Sequence, residues 1–445
     1  MAHERPSFVI FYTDDQGYGD LSCMGATDFR TPHLDALAAS GVRFTDWYSN
    51  SPVCSPSRAS LLTGRYPVHA GVRSILAGHR QATGLYPEVP TLSSELKRLG
   101  YRTAMFGKWH LGVTEECRPH RHGFDEWFGF MAGCIDYYSH IFYWGMAGKQ
   151  DPVHDLWENG RETWENGRYF TELVTERAVA WLNRVAEEDD PFFLFVPYNA
   201  PHYPMHAPQR YLNRFPGLPP DRRIMAAMLS AVDDGVGEIL EALATHGRRD
   251  NTIVFFQSDN GPSRETRNWL DGTPDPYYGG SAGRLKGHKF SLYEGGVRMP
   301  ALMSWPAQIP SARVVSEVGA AMDIFPTFLS AAGASLGRYE LDGRNVLSMV
   351  TDGAPSPHDR LFWEQGNQTA VRQGPWKLVL NGQLVEGAPP EDAAHLSDLR
   401  DDMGERLNLK DTEPEIAAEL KAAAEVWRAD IEAHWESRWA PRHSG

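Results

Sequence analysis

The sequence predicts an α/β fold: a large, mostly parallel central sheet flanked by helices on both faces, then a smaller C-terminal α+β domain with an antiparallel sheet and a final helix. Three observations predict it. Short apolar, β-prone runs alternate with helix-length amphipathic segments over most of the first 350 residues. A Gly/Pro/Ser-rich joint, TDGAPSPHD, running from Thr351 to Asp359, breaks that rhythm. Beyond the joint come closely spaced strand-like runs and one long helical segment. The expected domains are residues 1–355 and 356–445.

Taken in order, Ser7–Tyr12 reads as a buried strand, being a short run of aromatic and β-branched residues. A helix follows at His33–Ser40, with Thr31 placed to cap it, Pro32 suited to its first turn and Gly41 placed to end it. Thr91–Leu99, closed by Gly100, repeats the helical pattern, and Arg102–Phe106 returns as a strand. Phe170–Ala186 is helical by the spacing of Leu173, Ala178, Trp181, Leu182 and Val185, and Phe192–Tyr198 is a core strand. Ile224–Thr245 is a long helix ended by Gly247; Thr252–Ser258 is a strand. Ala301–Ser304 and the helix Met322–Ala332 complete the first domain. In the second, Leu361–Glu364, Thr369–Arg372 and Trp376–Leu380 are strand-like, and Glu413–Ala433 is the final helix. Glu115–Arg168, dense in Gly, Trp, Tyr and His with weak periodicity, reads as an irregular excursion over one face of the sheet.

Composition narrows the function. Forty-three basic against 58 acidic residues leave a formal charge of −15, the wrong sign for a general binder of nucleic acid or anionic membrane. No apolar run approaches the ~20 residues of a membrane helix, and Met1–Phe11 lacks the apolar core of a secretion signal. A cytoplasmic enzyme is expected, or a periplasmic or secreted one if a leader has been removed. Four cysteines without a CxxC pair argue against a disulfide scaffold or structural zinc; Cys23, Cys117 and Cys134 are read as free thiols, mostly buried. Oligomeric state is open.

In a parallel α/β sheet, ligand-binding groups gather beyond the carboxyl ends of the strands. Asp14 and Asp15 follow the first strand, Lys108 and His110 the second (Arg102–Phe106), Asn199 and His202 the next strand, and Asp259 and Asn260 the strand after that. Asp14, Asp15, Asp259 and Asn260 form an all-oxygen set suited to Ca²⁺, with Mg²⁺ as the alternative; the simpler reading of an Asp pair is a turn cap. Cys54 lies where a loop enters a short helix, so its side chain would sit near a helix N-terminus, and Arg58, four residues on, could reach the same anion. The simpler reading of a lone cysteine is packing.

These residues carry a resemblance. Cys54-x-Pro56-x-Arg58 followed by Leu62-Thr63-Gly64-Arg65 resembles the signature of the type I sulfatases, of the alkaline-phosphatase-like superfamily, and the chain looks like their arylsulfatase and N-acetylgalactosamine-6-sulfatase branch. Gly100 through Thr103 and Gly107-Lys108-Trp109-His110-Leu111-Gly112 resemble the second signature. Tyr12–Asp20 and Ser258-Asp259-Asn260-Gly261 resemble the two metal-binding strand ends. Ala200-Pro201-His202-x-Pro204 resembles the substrate-side histidine segment, and Lys289 through Glu294-Gly295-Gly296-Val297-Arg298-x-Pro300 the lysine segment. The matches run in family order from about Phe8 to Phe328. The stretch between Gly261 and Lys289 is longer and more polar than the family minimum, so Lys286 competes with Lys289 for one role; the spacing to Glu294-Gly295-Gly296 favours Lys289.

The resemblance implies a sulfuric ester hydrolase acting on an aryl sulfate or a sulfated sugar. It implies that a formylglycine-generating enzyme converts Cys54 to formylglycine and that its hydrate attacks sulfur. Cys54, Asp14, Asp15, Asp259 and Asn260 would hold one divalent cation. Asp259 would take the nucleophile's proton, and Arg58, Lys108 and Lys289 would neutralise sulfate oxygens. His202, with Lys289, would protonate the leaving oxygen, and His110 would take the proton that lets the aldehyde re-form. Lys108 and His110, two apart on an extended segment, should point the same way. Ser139 is placed for a sulfate contact, with His140 as competitor, and Trp127, Asp136, Tyr137, His140, Trp144, Trp157, Arg264 and Trp269 lie in stretches that could frame a sugar ring. Two rivals remain: a phosphate or phosphonate ester hydrolase of the same superfamily, and a non-catalytic anion- or glycan-binding relative with unmodified Cys54.

Overall fold

The computed structural model describes residues 5–143, 152–188, 190–265 and 276–443. Its core is a ten-stranded sheet in the order Arg313–Val315, Val42–Phe44, Ala301–Ser304, Thr252–Ser258, Ser7–Thr13, Phe192–Pro197, Arg102–Lys108, Glu126–Phe130, Trp157–Glu158, Arg161–Glu162. The five strands from Thr252–Ser258 to Glu126–Phe130 run parallel; Ala301–Ser304 on one side and Trp157–Glu158 on the other are antiparallel to their inner neighbours.

Strand periodicity divides the core in two. Val9 and Phe11 point to one face, where the helices Pro32–Ala39, Phe170–Val185 and Pro220–Thr245 cover them. Phe8, Ile10 and Tyr12 point to the other, under Cys54–Thr63, Leu92–Arg98 and Ile324–Ala331. Phe170–Val185 buries Leu173, Val174, Trp181, Leu182 and Val185 on its inner stripe, each large apolar side chain worth about 2 kcal/mol.

Most predicted elements are present, and the departures have local causes. Thr31 does not cap its helix through its side chain; its hydroxyl meets Ser22, and Asp233 accepts from the His33 and Leu34 amides instead. Thr91 does cap, in a reciprocal pair with Ser94. The long helix starts at Pro220, which suits a first turn. The excursion after Glu115 is less irregular than expected: Glu126–Phe130 is a full member of the parallel sheet, hidden in sequence because Trp127, Phe128 and Phe130 are interrupted by Gly129 instead of alternating with polar residues.

A second, antiparallel sheet of Arg360–Gln365, Gln368–Gln373, Trp376–Leu380 and Ala394–Asp398 packs under the helix Pro414–Arg438. It docks on the large sheet's part of the chain through buried polar contacts: Trp363 Nε1 donates to Ser49 O (2.7 Å), Arg372 Nη2 to Asp46 (2.8 Å) and Lys377 Nζ to Glu294 (2.8 Å). Cys23, Cys54, Cys117 and Cys134 are free thiols, all but Cys23 buried. Among the described residues no helix is long and apolar enough to cross a membrane.

Candidate active site

Neighbouring parallel strands bring the chemistry together. Thr13 ends the first strand opposite Ser258, so Asp14 and Asp15 emerge beside Asp259 and Asn260. The Asp15 amide, in a left-handed turn (φ 63°), donates to Asp259 Oδ1 (3.1 Å). Lys108 is the last residue of its strand, and His202 lies in the turn after Phe192–Pro197. All of these side chains are buried.

Cys54 is the first residue of the helix Cys54–Thr63, which ends at Gly64 in the left-handed region (φ 69°). Ser57 Oγ, within 2.8 Å of Ser51 O and 2.7 Å of Val53 O, ties the entering loop to that first turn. One turn on, Arg58 is 1 % exposed, with Nη2 3.1 Å from Asp259 Oδ2 and 3.5 Å from Asp14 Oδ2 and Nη1 donating to Lys108 O (3.1 Å).

The remaining cations face the remaining carboxylates. Lys108 Nζ lies 2.5 Å from Asp14 Oδ2. Lys289 Nζ meets Glu265 Oε2 at 2.7 Å, Asp15 Oδ2 at 3.1 Å and His202 Nε2 at 3.4 Å. His202 Nδ1 sits 2.8 Å from the Tyr203 carbonyl, which can only accept, so Nδ1 carries the proton and the Nε2 lone pair faces Lys289. His110 Nε2 likewise approaches Leu76 O (3.1 Å), leaving Nδ1 buried and unpaired. His110 is itself left-handed (φ 55°), so the extended segment that would aim Lys108 and His110 alike stops short of it.

Burial and charge set the protonation pattern. Burial alone would raise the Asp14 carboxyl, but Lys108, His202 and Arg58 overcome it and hold it below the ordinary range. Burial and then repulsion from Asp14 push Asp259 well above its ordinary range despite Arg58. Burial, with Lys108 and Arg58 adding to it, keeps His110 neutral. Burial raises the Cys54 thiol well above its usual value, against the pull of Lys108 and Lys289.

Among the described residues, Asp14 Oδ1 and Asn260 Oδ1 in this cluster find no hydrogen-bond partner, and both are sealed from solvent. Unpaired buried acceptors are costly, and here they sit where Asp14, Asp15, Cys54 and His202 each offer a ligand atom within 4.8 Å of the others. The oxygens of Asp14, Asp15, Asp259 and Asn260 are hard donors of the kind a divalent cation takes, whereas the Cys54 sulfur and the His202 nitrogen of the group are softer.

Residues 6–334 match the Sulfatase family model. The chain belongs to the sulfatase family. N-acetylgalactosamine-6-sulfatase of Mus musculus is 34% identical over 397 residues, 85% of this chain and 72% of that protein. Arylsulfatase A of Bos taurus is 32% identical over 481 residues, 97% of this chain and 89% of that protein. The crystal structure of Ps i-CgsB in complex with k-i-k-neocarrahexaose superimposes with a TM-score of 0.85 at 30% identity, covering 99% of this chain and 98% of that one.

This sulfatase thus gathers Cys54, Arg58, Lys108, His202, Lys289, Asp14, Asp15, Asp259 and Asn260 in one buried cluster, with His110 close enough to feel the charges of Lys108, Arg58 and Asp14. Lys286 instead pairs with Glu391 (2.6 Å). Ser139 and His140 make their contacts elsewhere, Ser139 Oγ with Asp136 (2.9 Å) and His140 Nε2 with Arg168 O (3.2 Å). Trp127, Tyr137 and Trp157 are buried packing groups and so present no open face to a sugar; the Tyr137 hydroxyl, 3.1 Å from Asn199 O and 2.9 Å from His202 O, braces the His202 turn. Asp136 accepts from the Tyr138 and Ser139 amides, and Arg264 donates to Ser263 O and Gly280 O. Trp144 and Trp269 lie outside the described residues. Sequence reasoning missed Glu265: nothing in its local pattern distinguishes it from a surface acid, and its partner Lys289 is 24 residues away.

Proposed function

We propose that this sulfatase hydrolyses the sulfate monoester of a saccharide or aryl alcohol, with residue 54 as formylglycine and one divalent cation, Ca²⁺ or Mg²⁺, held by Asp14, Asp15, Asp259 and Asn260. The observation that carries the reading is the pair of orphaned acceptors, Asp14 Oδ1 and Asn260 Oδ1, beside the N-terminal residue of the Cys54 helix. Four carboxylates, Asp14, Asp15, Asp259 and Glu265, face only three permanent cations, Arg58, Lys108 and Lys289. When bound, the cation would add positive charge to this balance, lower the pKa of an oxygen nucleophile and help neutralise sulfate.

The chain's own residues supply the rest. Arg58, Lys108 and Lys289 are fixed donors around the anion, so stabilisation needs no reorganisation as charge moves onto the leaving oxygen. The Lys289 ammonium, which directs an N–H at His202 Nε2, supplies the proton that this pair delivers to the leaving oxygen. His110 is neutral with Nδ1 free, the state required of a base that takes a hydroxyl proton from hydrated residue 54 and so lets sulfate go. Burial of the whole cluster excludes bulk water. Saccharide sulfates are favoured because both N-acetylgalactosamine-6-sulfatase and the neocarrahexaose-bound structure are among the relatives.

The test co-expresses the protein with a formylglycine-generating enzyme, measures the mass and hydrazide reactivity of tryptic peptide 44–58, and assays 4-nitrophenyl sulfate, 4-O- and 6-O-sulfated monosaccharides and a phosphonate monoester. An aldehyde at residue 54 with sulfate turnover is expected. An aldehyde form that cleaves the phosphonate but no sulfate would replace the substrate class, and a thiol in the active native protein would remove the formylglycine.

A further inference from the structure

Glu265 belongs to the long polar segment that follows Gly261, and it turns back into the site. Its Oε2 accepts from Lys289 Nζ (2.7 Å) and from Ser263 Oγ (3.0 Å), while its own amide donates to Ser263 Oγ (3.0 Å). The Tyr277 amide donates to its carbonyl (3.0 Å), and Arg264 brackets the same turn. Its backbone and carboxylate are therefore fixed independently of Lys289.

An ammonium group has three N–H donors. Lys289 directs them at Glu265, Asp15 and His202 Nε2. The Glu265 contact is the shortest and the His202 contact the longest, so the lysine's position against the imidazole depends on its other two anchors. Asp15 is an imperfect anchor, because its Oδ1 accepts from Asn260 (2.7 Å) and its Oδ2 also faces His202 (3.6 Å). Glu265 is the anchor outside that set.

We infer that Glu265 is a positioning residue that holds Lys289 Nζ against His202 Nε2, so that the proton shared by this pair reaches the oxygen leaving from the sulfate ester. The inference rests on the proposed sulfate-ester chemistry of this site. As the S–O bond breaks, its electron pair stays on the ester oxygen, that oxygen takes the shared proton, and the Lys289–His202 pair is left one proton poorer. Glu265 exchanges no proton; it sets where the ammonium sits. A carboxylate present only to neutralise a buried lysine would affect every substrate alike. A positioning role depends on how badly the leaving oxygen needs a proton.

The experiment compares Glu265→Gln and Glu265→Asp with the parent, all with the aldehyde at residue 54, on 4-nitrophenyl sulfate and on an alkyl or saccharide sulfate. The nitrophenolate leaves readily unprotonated; an alkoxide does not. Glu265→Gln is expected to lose about 30-fold in kcat on the alkoxide substrate and less than about 3-fold on 4-nitrophenyl sulfate, with KM nearly unchanged. Glu265→Asp, which keeps the charge, should recover part of the loss, and it carries the comparison if the Gln variant does not fold. Equal losses on both substrates, or no loss on either, overturn the inference while leaving the function intact. A parent protein that turns over neither sulfate overturns the function and this inference together.

Discussion

Lys108 Nζ and Asp14 Oδ2 are 2.5 Å apart with neither side chain accessible to solvent, a buried ion pair joining two strand ends 94 residues apart in sequence. Removing one partner of such a pair leaves an uncompensated charge. Lys108→Met should cost about 3 kcal/mol of folding stability in chelator-treated protein, read by urea unfolding, and should abolish measurable sulfatase activity. A variant as stable as the parent would mean that Asp14 is not ionised in the cation-free protein.

Binding a cation to the native state alone adds stability by mass action. Dialysis against EDTA is expected to lower Tm, and restoring Ca²⁺ at about 100 times its Kd should return about 3 kcal/mol. Asp259→Asn should weaken that response. Identical melting curves with and without the ion, followed by calorimetry, would count against a cation in this cluster.

A side chain at Gly133 would press on the His110 ring: an added Cβ would lie 3.0 Å from it. Gly133→Ala should displace the imidazole by a few tenths of an ångström and lower kcat about tenfold, while circular dichroism and Tm change little. Unchanged turnover would separate His110 from the rate-limiting chemistry.

The C-terminal sheet supports the loop that enters the Cys54 helix. Trp363 donates to Ser49 O (2.7 Å), and Ser49 Oγ donates to Ser57 Oγ (2.9 Å) in that helix. Trp363→Phe should cost about 1 kcal/mol for the lost hydrogen bond, and Trp363→Ala about 4 kcal/mol as a cavity opens. Activity should fall with Trp363→Ala even at temperatures where the protein remains folded, measured by kcat on 4-nitrophenyl sulfate.

His122 is 1 % exposed beside Trp109, and burial pulls its pKa from the usual 6.5 down to about 4. The unfolded chain therefore takes up a proton below pH 6.5 that the folded protein refuses until about pH 4. The stability this group contributes is complete above pH 6.5 and is lost as pH falls through that window, by up to about 3 kcal/mol. In His122→Leu the drop in stability between pH 7 and pH 5 should be smaller; an identical pH slope by denaturant titration would show that His122 does not carry it.

Much of this was legible in the chain because it depends on neighbours in sequence. The run Thr252–Ser258 is a strand in both readings, since a continuous apolar β-prone segment has little alternative. The Asp pairs lie at strand ends because the polar residues start where the apolar run stops. Glu126–Phe130 was not legible, because pairing with Arg102–Lys108 and not local alternation makes it a strand. Thr31 shows the same limit: its residue type suits a cap, but Ser22 and Asp233 decide the outcome from elsewhere in the chain.

The amino-acid order alone determined the class of fold, the groups available for chemistry and the edge of the sheet where they collect, because hydrophobic period and strand ends are short-range properties. Which atom faces which was decided only in three dimensions. Lys289 meets Asp15 across 274 residues, Glu265 enters from a loop with no distinguishing pattern, and His110 takes a left-handed backbone that ends the extended segment begun at Lys108. Contacts of that kind follow from packing and from charge compensation in a region closed to water, and neither is encoded in any short stretch of sequence.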